Sequence, residues 1–289
     1  MPSSKPCRGS GNGSDFSVAV SNSDSNSLPG LSDISDRDRV WDVHKAESDI
    51  ISGHYRGSDF DKYSERVNTC ANLLDFRLIP DNKKGYRLKL ASARFCHVRT
   101  CQICVWRRSL MFKARAYKTL PQIIGDYPTA RFLFLTLTVK NCQIHELRDY
   151  LAWMNKGFSR LIRLKAFPAI GYLKTVEVTL GRDGRSAHPH FHCLLMVAPS
   201  YFGKNYIRKD EWVTMWRNSL RVDYNPILDV QALKSNDSLV GLLAEIIKYQ
   251  TKPSTMIFGN REWFLEYTHN FTALGQYHLV ECSKNTLES

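Results

Sequence analysis

The 289-residue sequence predicts an α+β fold built around a central antiparallel sheet. Two patterns lead to that expectation. Short β-rich apolar runs alternate with segments whose apolar residues recur at helical spacing. Read in order from residue 132, these segments run β-α-β-β-α-β-α. With 43% hydrophobic and 24% charged residues, the composition suits a globular chain with a real core. No run approaches the ~18 apolar residues of a membrane span, and the N-terminus has no apolar leader stretch, so neither a membrane anchor nor secretion is expected.

Residues 1–60 are expected to be a disordered, low-complexity tail. The first forty hold eleven Ser, with four basic and five acidic side chains. Such a segment buries too little apolar area to offset its ordering entropy. The whole chain carries +12, so the part after residue 40 carries +13 and points to an anionic partner, nucleic acid first. Residues 61–126 form a cysteine-rich, basic segment. Its strands fall at 73–79 and 86–91, around the turn at 80–85, and a helix follows Cys104 through Trp106, Leu110, Ala114 and Tyr117. Residues 127–275 form the main domain, and 276–289 a C-terminal tail.

Within the main domain, 132–139 is a β-rich apolar run and a central strand. Leu147, Tyr150, Leu151, Met154, Phe158 and Leu161 recur as one helix face. Strands follow at 172–180 and 187–197, joined by the turn Gly181-Arg182-Asp183-Gly184. A helix at 208–220 sets Trp212 and Trp216 on one side. A strand at 226–233 and a helix at 239–250, stopped before Pro253, complete the order. The first six elements match a split βαβ, ferredoxin-like arrangement, with helices on one face of the sheet and the other face open.

The densest chemical signal is His188-Pro189-His190-Phe191-His192. In a strand, positions i, i+2 and i+4 share a face, so three imidazoles line up. If Asp183-Gly184 is a two-residue hairpin loop, cross-strand partners sum to 367. Glu177 then faces His190, while Thr175 and Thr179 face His192 and His188. A carboxylate and two of the three imidazoles converge, with positions left open for water or a phosphate oxygen. Such a mixed N/O set accepts Mn²⁺ or Mg²⁺.

Glu245 and Tyr249 are spaced i, i+4 on the helix at 239–250, as are Lys248 and Lys252. A tyrosine hydroxyl, with its pKa of ~10, needs neighbouring positive charge to act as a nucleophile. Cys96, Cys101 and Cys104 stand at metal-ligand spacing in a chain expected to be reduced. A structural Zn²⁺ site takes four ligands. Cys70 is the best fourth, since the hairpin after it returns the chain to Cys96; His97 is the fallback. The following helix carries Arg107, Arg108, Lys113 and Arg115, and Arg99 just before it completes the set of candidate DNA contacts. The helix reads equally as a DNA phosphate contact and as a solvated face.

Together, Phe134-Leu135-Thr136-Leu137-Thr138, the histidine strand and Glu245-Ile246-Ile247-Lys248-Tyr249 resemble the three ordered motifs of plasmid rolling-circle replication initiators. These are single-tyrosine members of the HUH endonucleases, in the group with Glu four residues before the Tyr. The resemblance takes in Cys96, Arg99, Cys101, Cys104 and Trp106-Arg107-Arg108, and covers about 70–253. It departs at Gln102, where members often carry Pro.

The resemblance implies an enzyme that acts on single-stranded origin DNA of a plasmid in the bacterial cytoplasm. Metal would sit on His190, His192 and Glu177, with His188 as a further candidate. Tyr249 would attack the phosphodiester, leaving a 5′-phosphotyrosine and a free 3′-OH primer for a host polymerase. Glu245 would act at termination, and Lys248 and Lys252 would sit near the phosphate. The chain has no G-x4-G-K-[ST] loop, so unwinding would fall to a host helicase. An oligomer remains open. The competing readings are an HUH relaxase or single-strand transposase, and a non-enzymatic zinc-stapled DNA-binding repressor.

Overall fold

In the computed structural model, residues 15–19, 38–81, 85–233 and 260–272 are described. The larger sheet grows from β-branched and leucine-rich runs. Strands β4 (Arg131–Thr138), β6 (Ala169–Leu180), β7 (Ser186–Val197) and β8 (Leu228–Ala232) lie in the spatial order β6-β7-β4-β8, each antiparallel to its neighbours. The two-residue strand β5 (Cys142–Gln143) extends the β4 side of β7. Alternation sends Leu133, Leu135 and Leu137 of β4, with Phe191, Cys193 and Leu195 of β7, into one core.

That core is covered by α4 (Leu147–Leu161) and α5 (Lys209–Leu220). Leu147, Leu151, Met154, Phe158 and Leu161 meet Trp212, Trp216 and Leu220 there. Burying each large side chain contributes about 1.5–3 kcal/mol. Gly157 lets the two helices close up: a Cβ on it would lie 2.9 Å from Leu220 Cδ2. Both buried indoles are satisfied. Trp216 Nε1 donates to Thr138 O (2.9 Å) and Trp212 Nε1 to the Tyr201 hydroxyl (3.1 Å).

A second core forms upstream. It joins α1 (Arg39–Tyr55), α2 (Asp61–Asn68), the hairpin β2 (Leu73–Asp81) and β3 (Gly85–Ala93), and the start of α3 (Gln102–Asp126). Strand β1 (Asp15–Ala19) pairs with the other edge of β2. The tail expected over 1–60 is contradicted at 39–55, which form α1, and at 15–19, which form a strand. Helix α1 escaped notice because its buried face mixes Trp41, Ile51 and Tyr55 with Ser48 and Ser52, which breaks the apolar period. Ser48 Oγ donates to His44 O one turn back (2.7 Å), and Ser52 Oγ donates across to Ser64 O of α2 (2.9 Å).

Helix α6 (Arg261–Thr272) joins the two cores and was not expected from the sequence. Phe264 lies in the upstream core, while Trp263, Tyr267 and Phe271 lie in the sheet core. Arg261 donates to His54 O (3.0 Å) and Arg56 O (2.7 Å), capping the end of α1. The helix expected at 239–250 lies outside the described residues. Among the described residues no helix is long and apolar enough to cross a membrane.

Candidate metal centre

The β6–β7 hairpin keeps the expected register. Glu177 faces His190, Thr175 faces His192 and Thr179 faces His188. The loop is wider than a two-residue turn. Gly181 N–H donates to Ser186 O (2.8 Å), and Gly184 N–H closes a turn on Gly181 O (2.9 Å). Arg182 and Arg185 thus belong to the loop, which opens by one residue on each side and leaves the pairing sum unchanged.

Glu177, His190 and His192 converge, with their ligand atoms all within 4.8 Å of one another. Glu177 Oε2 lies 2.7 Å from His190 Nε2 and 2.8 Å from His192 Nε2. All three are buried, at 7%, 9% and 5% exposure. The sheet face expected to be open is therefore closed at the triad, and Leu194 and Met196 beyond it are buried too. Burial alone would raise the Glu177 carboxyl. Hydrogen bonds from His190 and then His192 outweigh it and hold the group at about 2.

The donor chemistry fits a divalent cation. His190 Nδ1 lies 3.2 Å from His188 O, and a carbonyl only accepts, so Nδ1 carries the hydrogen. The hydrogen bond to Glu177 Oε2 then needs a second hydrogen, on Nε2; without it Nε2 aims a lone pair at that oxygen, 2.7 Å away. Two acceptors this close require a proton or a cation between them. Fixing the tautomer through the second ring nitrogen is a common device for metal-binding histidines. His192 is held by Thr136 Oγ1 (3.3 Å from Nδ1) and by the Phe134 ring stacked at 5.7 Å. His188, a further candidate in the sequence, stays out of the group. Its Nδ1 lies 2.8 Å from Asn141 Oδ1.

The second cluster is Cys70, Cys96, Cys101 and Cys104, again with ligand atoms within 4.8 Å. Cys70 takes the fourth place, and His97 is not needed. Cys96 and Cys70 lie 3.6 and 3.7 Å from Cys104, sulfur to sulfur. Those edges belong to a tetrahedron whose corners are about 2.2–2.3 Å from its centre, the Zn–thiolate distance. They are far too long for disulfides. Cys96 N–H points at Cys70 Sγ (3.4 Å) and Val98 N–H at Cys96 Sγ (3.5 Å). His97 adopts a left-handed φ of 57°, which turns Val98 N–H back onto the sulfur. Hydrogen bonds from the neighbouring thiols, Cys104 first, hold the Cys101 thiol well below its usual range. The same contacts, Cys101 first, push the Cys70 thiol up.

The basic residues separate into two groups. Arg107 is walled in by Trp41 (5.5 Å), Phe95 (5.8 Å) and Trp106 (5.8 Å), and burial lowers its pKa. Arg108 donates to Cys104 O (3.3 Å) and Arg99 O (2.9 Å), so it ties the cysteine loop to α3. Arg107 is half-buried between these rings, whereas Arg108 is exposed. Lys113 stacks on Tyr117 at 5.8 Å, and Arg115 is exposed. The sequence reading missed Asn141 and Ser186 beside the histidines. Single polar residues after a strand leave no periodic signal. Tyr249, Glu245, Lys248 and Lys252 lie outside the described residues.

Fold and sites together define an α+β protein with a carboxylate–bis-imidazole centre on its sheet and a four-thiol cluster upstream. Residues 87–285 match the family described as Replication protein. A "Protein rep" from Streptococcus pneumoniae serotype 2 is 36% identical over 233 residues, 78% of this chain and 72% of its own. One from Lactiplantibacillus plantarum is 36% identical over 234 residues, with the same coverage. A "Replication protein" from Staphylococcus aureus is 31% identical over 157 residues, 51% of this chain and 67% of its own. No solved structure matches the chain. The chain belongs to this family of replication proteins and is a plasmid replication initiator.

Proposed function

We propose that the protein starts rolling-circle replication by nicking one origin strand of a plasmid in the bacterial cytoplasm. The convergence of Glu177, His190 and His192 is the observation that carries this reading. The strand order β6-β7-β4-β8, with both helices on one face, supports a ferredoxin-like HUH nicking-joining domain over about 127–275. The thiol tetrahedron supports a structural Zn²⁺ that staples the upstream segment, including 61–126.

Bound by Glu177, His190 and His192, Mn²⁺ or Mg²⁺ would supply Lewis-acid polarisation of the scissile phosphodiester. The Tyr249 hydroxyl attacks the phosphorus. The P–O bond to the 3′ oxygen breaks, leaving a 5′-phosphotyrosine and a 3′-OH from which a host polymerase extends. Lys248 and Lys252 offset phosphate charge. At termination Glu245 takes the proton of a water or a returning 3′-OH that displaces the tyrosine. Unwinding falls to a host helicase. Membership of a replication-protein family favours an initiator over a relaxase, a transposase or a repressor.

The test is incubation with a labelled origin-strand library and Mn²⁺, followed by peptide mapping of DNA-bonded protein. Wild type gives an adduct at Tyr249, and Tyr249→Phe gives none. An adduct that persisted in Tyr249→Phe, or in excess chelator, would end the proposal.

A further inference from the structure

His188 lies outside the donor triad, half-buried, with its ring 5.2 Å from that of His190. A chain of side chains nonetheless dictates its protonation pattern. Asp183 Oδ1 accepts from the backbone N–H of Arg185 (3.0 Å) and of Ser186 (2.9 Å), and from Ser186 Oγ (2.9 Å). A carboxylate only accepts, so the serine hydroxyl must donate its proton there. The serine oxygen then accepts from Asn141 Nδ2 (3.0 Å), which fixes the amide's orientation. Asn141 Oδ1 faces His188 Nδ1 at 2.8 Å and can only accept. The hydrogen therefore sits on Nδ1, and Nε2 of the neutral ring presents a lone pair.

The chain is built around Gly181. A Cβ there would lie 2.0 Å from Ser186 Oγ, 2.8 Å from Asn141 Nδ2 and 2.9 Å from Asp183 Oδ1. Any other residue at 181 displaces the network. A lone pair beside the triad repels phosphate oxygens, which are themselves acceptors, and selects a hydrogen-bond donor. Cutting a DNA strand on the 3′-oxygen side of a phosphate creates one such donor at the reacting atoms, the deoxyribose 3′-hydroxyl.

We propose that Asp183, Ser186 and Asn141 are positioning residues that hold His188 as the Nδ1–H form, so that its Nε2 accepts a hydrogen bond from the 3′-hydroxyl of the nicked strand. The cut end then stays beside His190 instead of diffusing away, ready for rejoining. This assignment rests on the nicking reading and gives the site a specificity for hydroxyl-ended strands.

The experiment uses the full chain and two oligonucleotides that end at the mapped cleavage position, one with a 3′-hydroxyl and one with a 3′-deoxy end. Wild type binds the hydroxyl end about fivefold more tightly, the worth of one hydrogen bond. The preference falls to about one in His188→Leu and in Asn141→Leu, which removes the acceptor that holds the hydrogen on Nδ1. Mn²⁺ affinity, measured by calorimetry, stays within about twofold in His188→Leu.

Equal wild-type affinity for the two ends, or a preference that persists in His188→Leu, overturns the assignment. A tenfold or larger fall in Mn²⁺ affinity also overturns it, since that is the mark of a lost ligand or ligand-supporting group. A wild type that cuts its origin strand yet shows no preference sinks only the His188 role. A wild type that cuts nothing sinks the nicking reading as well.

Discussion

The two candidate metal centres are built on opposite plans. The four thiols come from loops and a helix start: Cys70 before β2, Cys96 after β3, and Cys101 and Cys104 at the N-terminus of α3. They complete a tetrahedron among themselves and leave no corner for a substrate. The triad draws Glu177, His190 and His192 from two adjacent strands, locked by register, and supplies only three donors. A closed set of four soft donors suits a structural ion, and an incomplete N/O set suits chemistry. The contrast fits the proposed division between a centre that holds the fold and one that acts on a substrate.

The largest effect tests the closed centre. Cys101→Ser should cost about 4 kcal/mol or more, as loss of a structural metal does. For a chain of this size that lowers the melting temperature by about 10 °C. His192→Ala should cost far less stability while abolishing metal-dependent nicking. Thermal melts of both variants, with and without chelator, check the division. Similar losses at the two sites would erase it.

The triad should show its own signature at low pH in metal-free protein. The folded-state Glu177 carboxyl lies at about 2, against an ordinary 4.5. A depressed carboxylate stabilises the fold above its unfolded pKa, and that contribution disappears as pH falls through the folded one. The span corresponds to roughly 3 kcal/mol, fully present above about pH 5 and lost by about pH 2. Urea midpoints measured from pH 6 to 2 should therefore fall more steeply in wild type than in Glu177→Gln. Parallel curves would mean that the imidazoles do not hold the carboxylate.

A smaller effect tests whether the two regions are coupled. The buried Tyr55 hydroxyl meets Thr100 Oγ1 (2.6 Å), next to Cys101, and Thr268 Oγ1 (3.1 Å) on α6. Burial pushes its pKa up to about 12, so it remains a neutral donor. Tyr55→Phe should cost about 1–2 kcal/mol by stranding buried hydroxyls. Because α6 also carries Trp263 and Tyr267 in the sheet core, Tyr55→Phe and Trp263→Phe should be non-additive by more than 0.5 kcal/mol in a double-mutant cycle.

Most of both sites was legible from residue spacing. The thiol set followed from Cys96-x4-Cys101-x2-Cys104 and a hairpin that returns Cys70 to Cys96. The triad followed from parity on β7 and a pairing sum. That sum survived a mistaken loop length, because the loop widened symmetrically. What stayed hidden depends on tertiary context. Helix α6 shows no single apolar stripe because Phe264 and Trp263 serve different cores. Helix α1 buries serines. Asn141 and Ser186 matter only through hydrogen-bond direction. The aromatic walls around Arg107 are likewise assembled only by the fold, from Trp41, Phe95 and Trp106.

The smallest effects separate those arginines. Arg107 sits among Trp41, Phe95 and Trp106, where its guanidinium meets three rings at once. Arg107→Met should therefore cost about 1 kcal/mol of stability and leave the salt dependence of DNA binding unchanged. Arg115 is exposed on α3 and should behave in the opposite way. Arg115→Ala should stay within about 0.5 kcal/mol of wild type, yet reduce the slope of log affinity against log salt by about 1. Lys113, half-buried on Tyr117, should follow Arg115. Titrations at several salt concentrations decide the matter. A slope that changes with Arg107→Met and not with Arg115→Ala would return the DNA contact to the aromatic box and leave α3 as a solvated face.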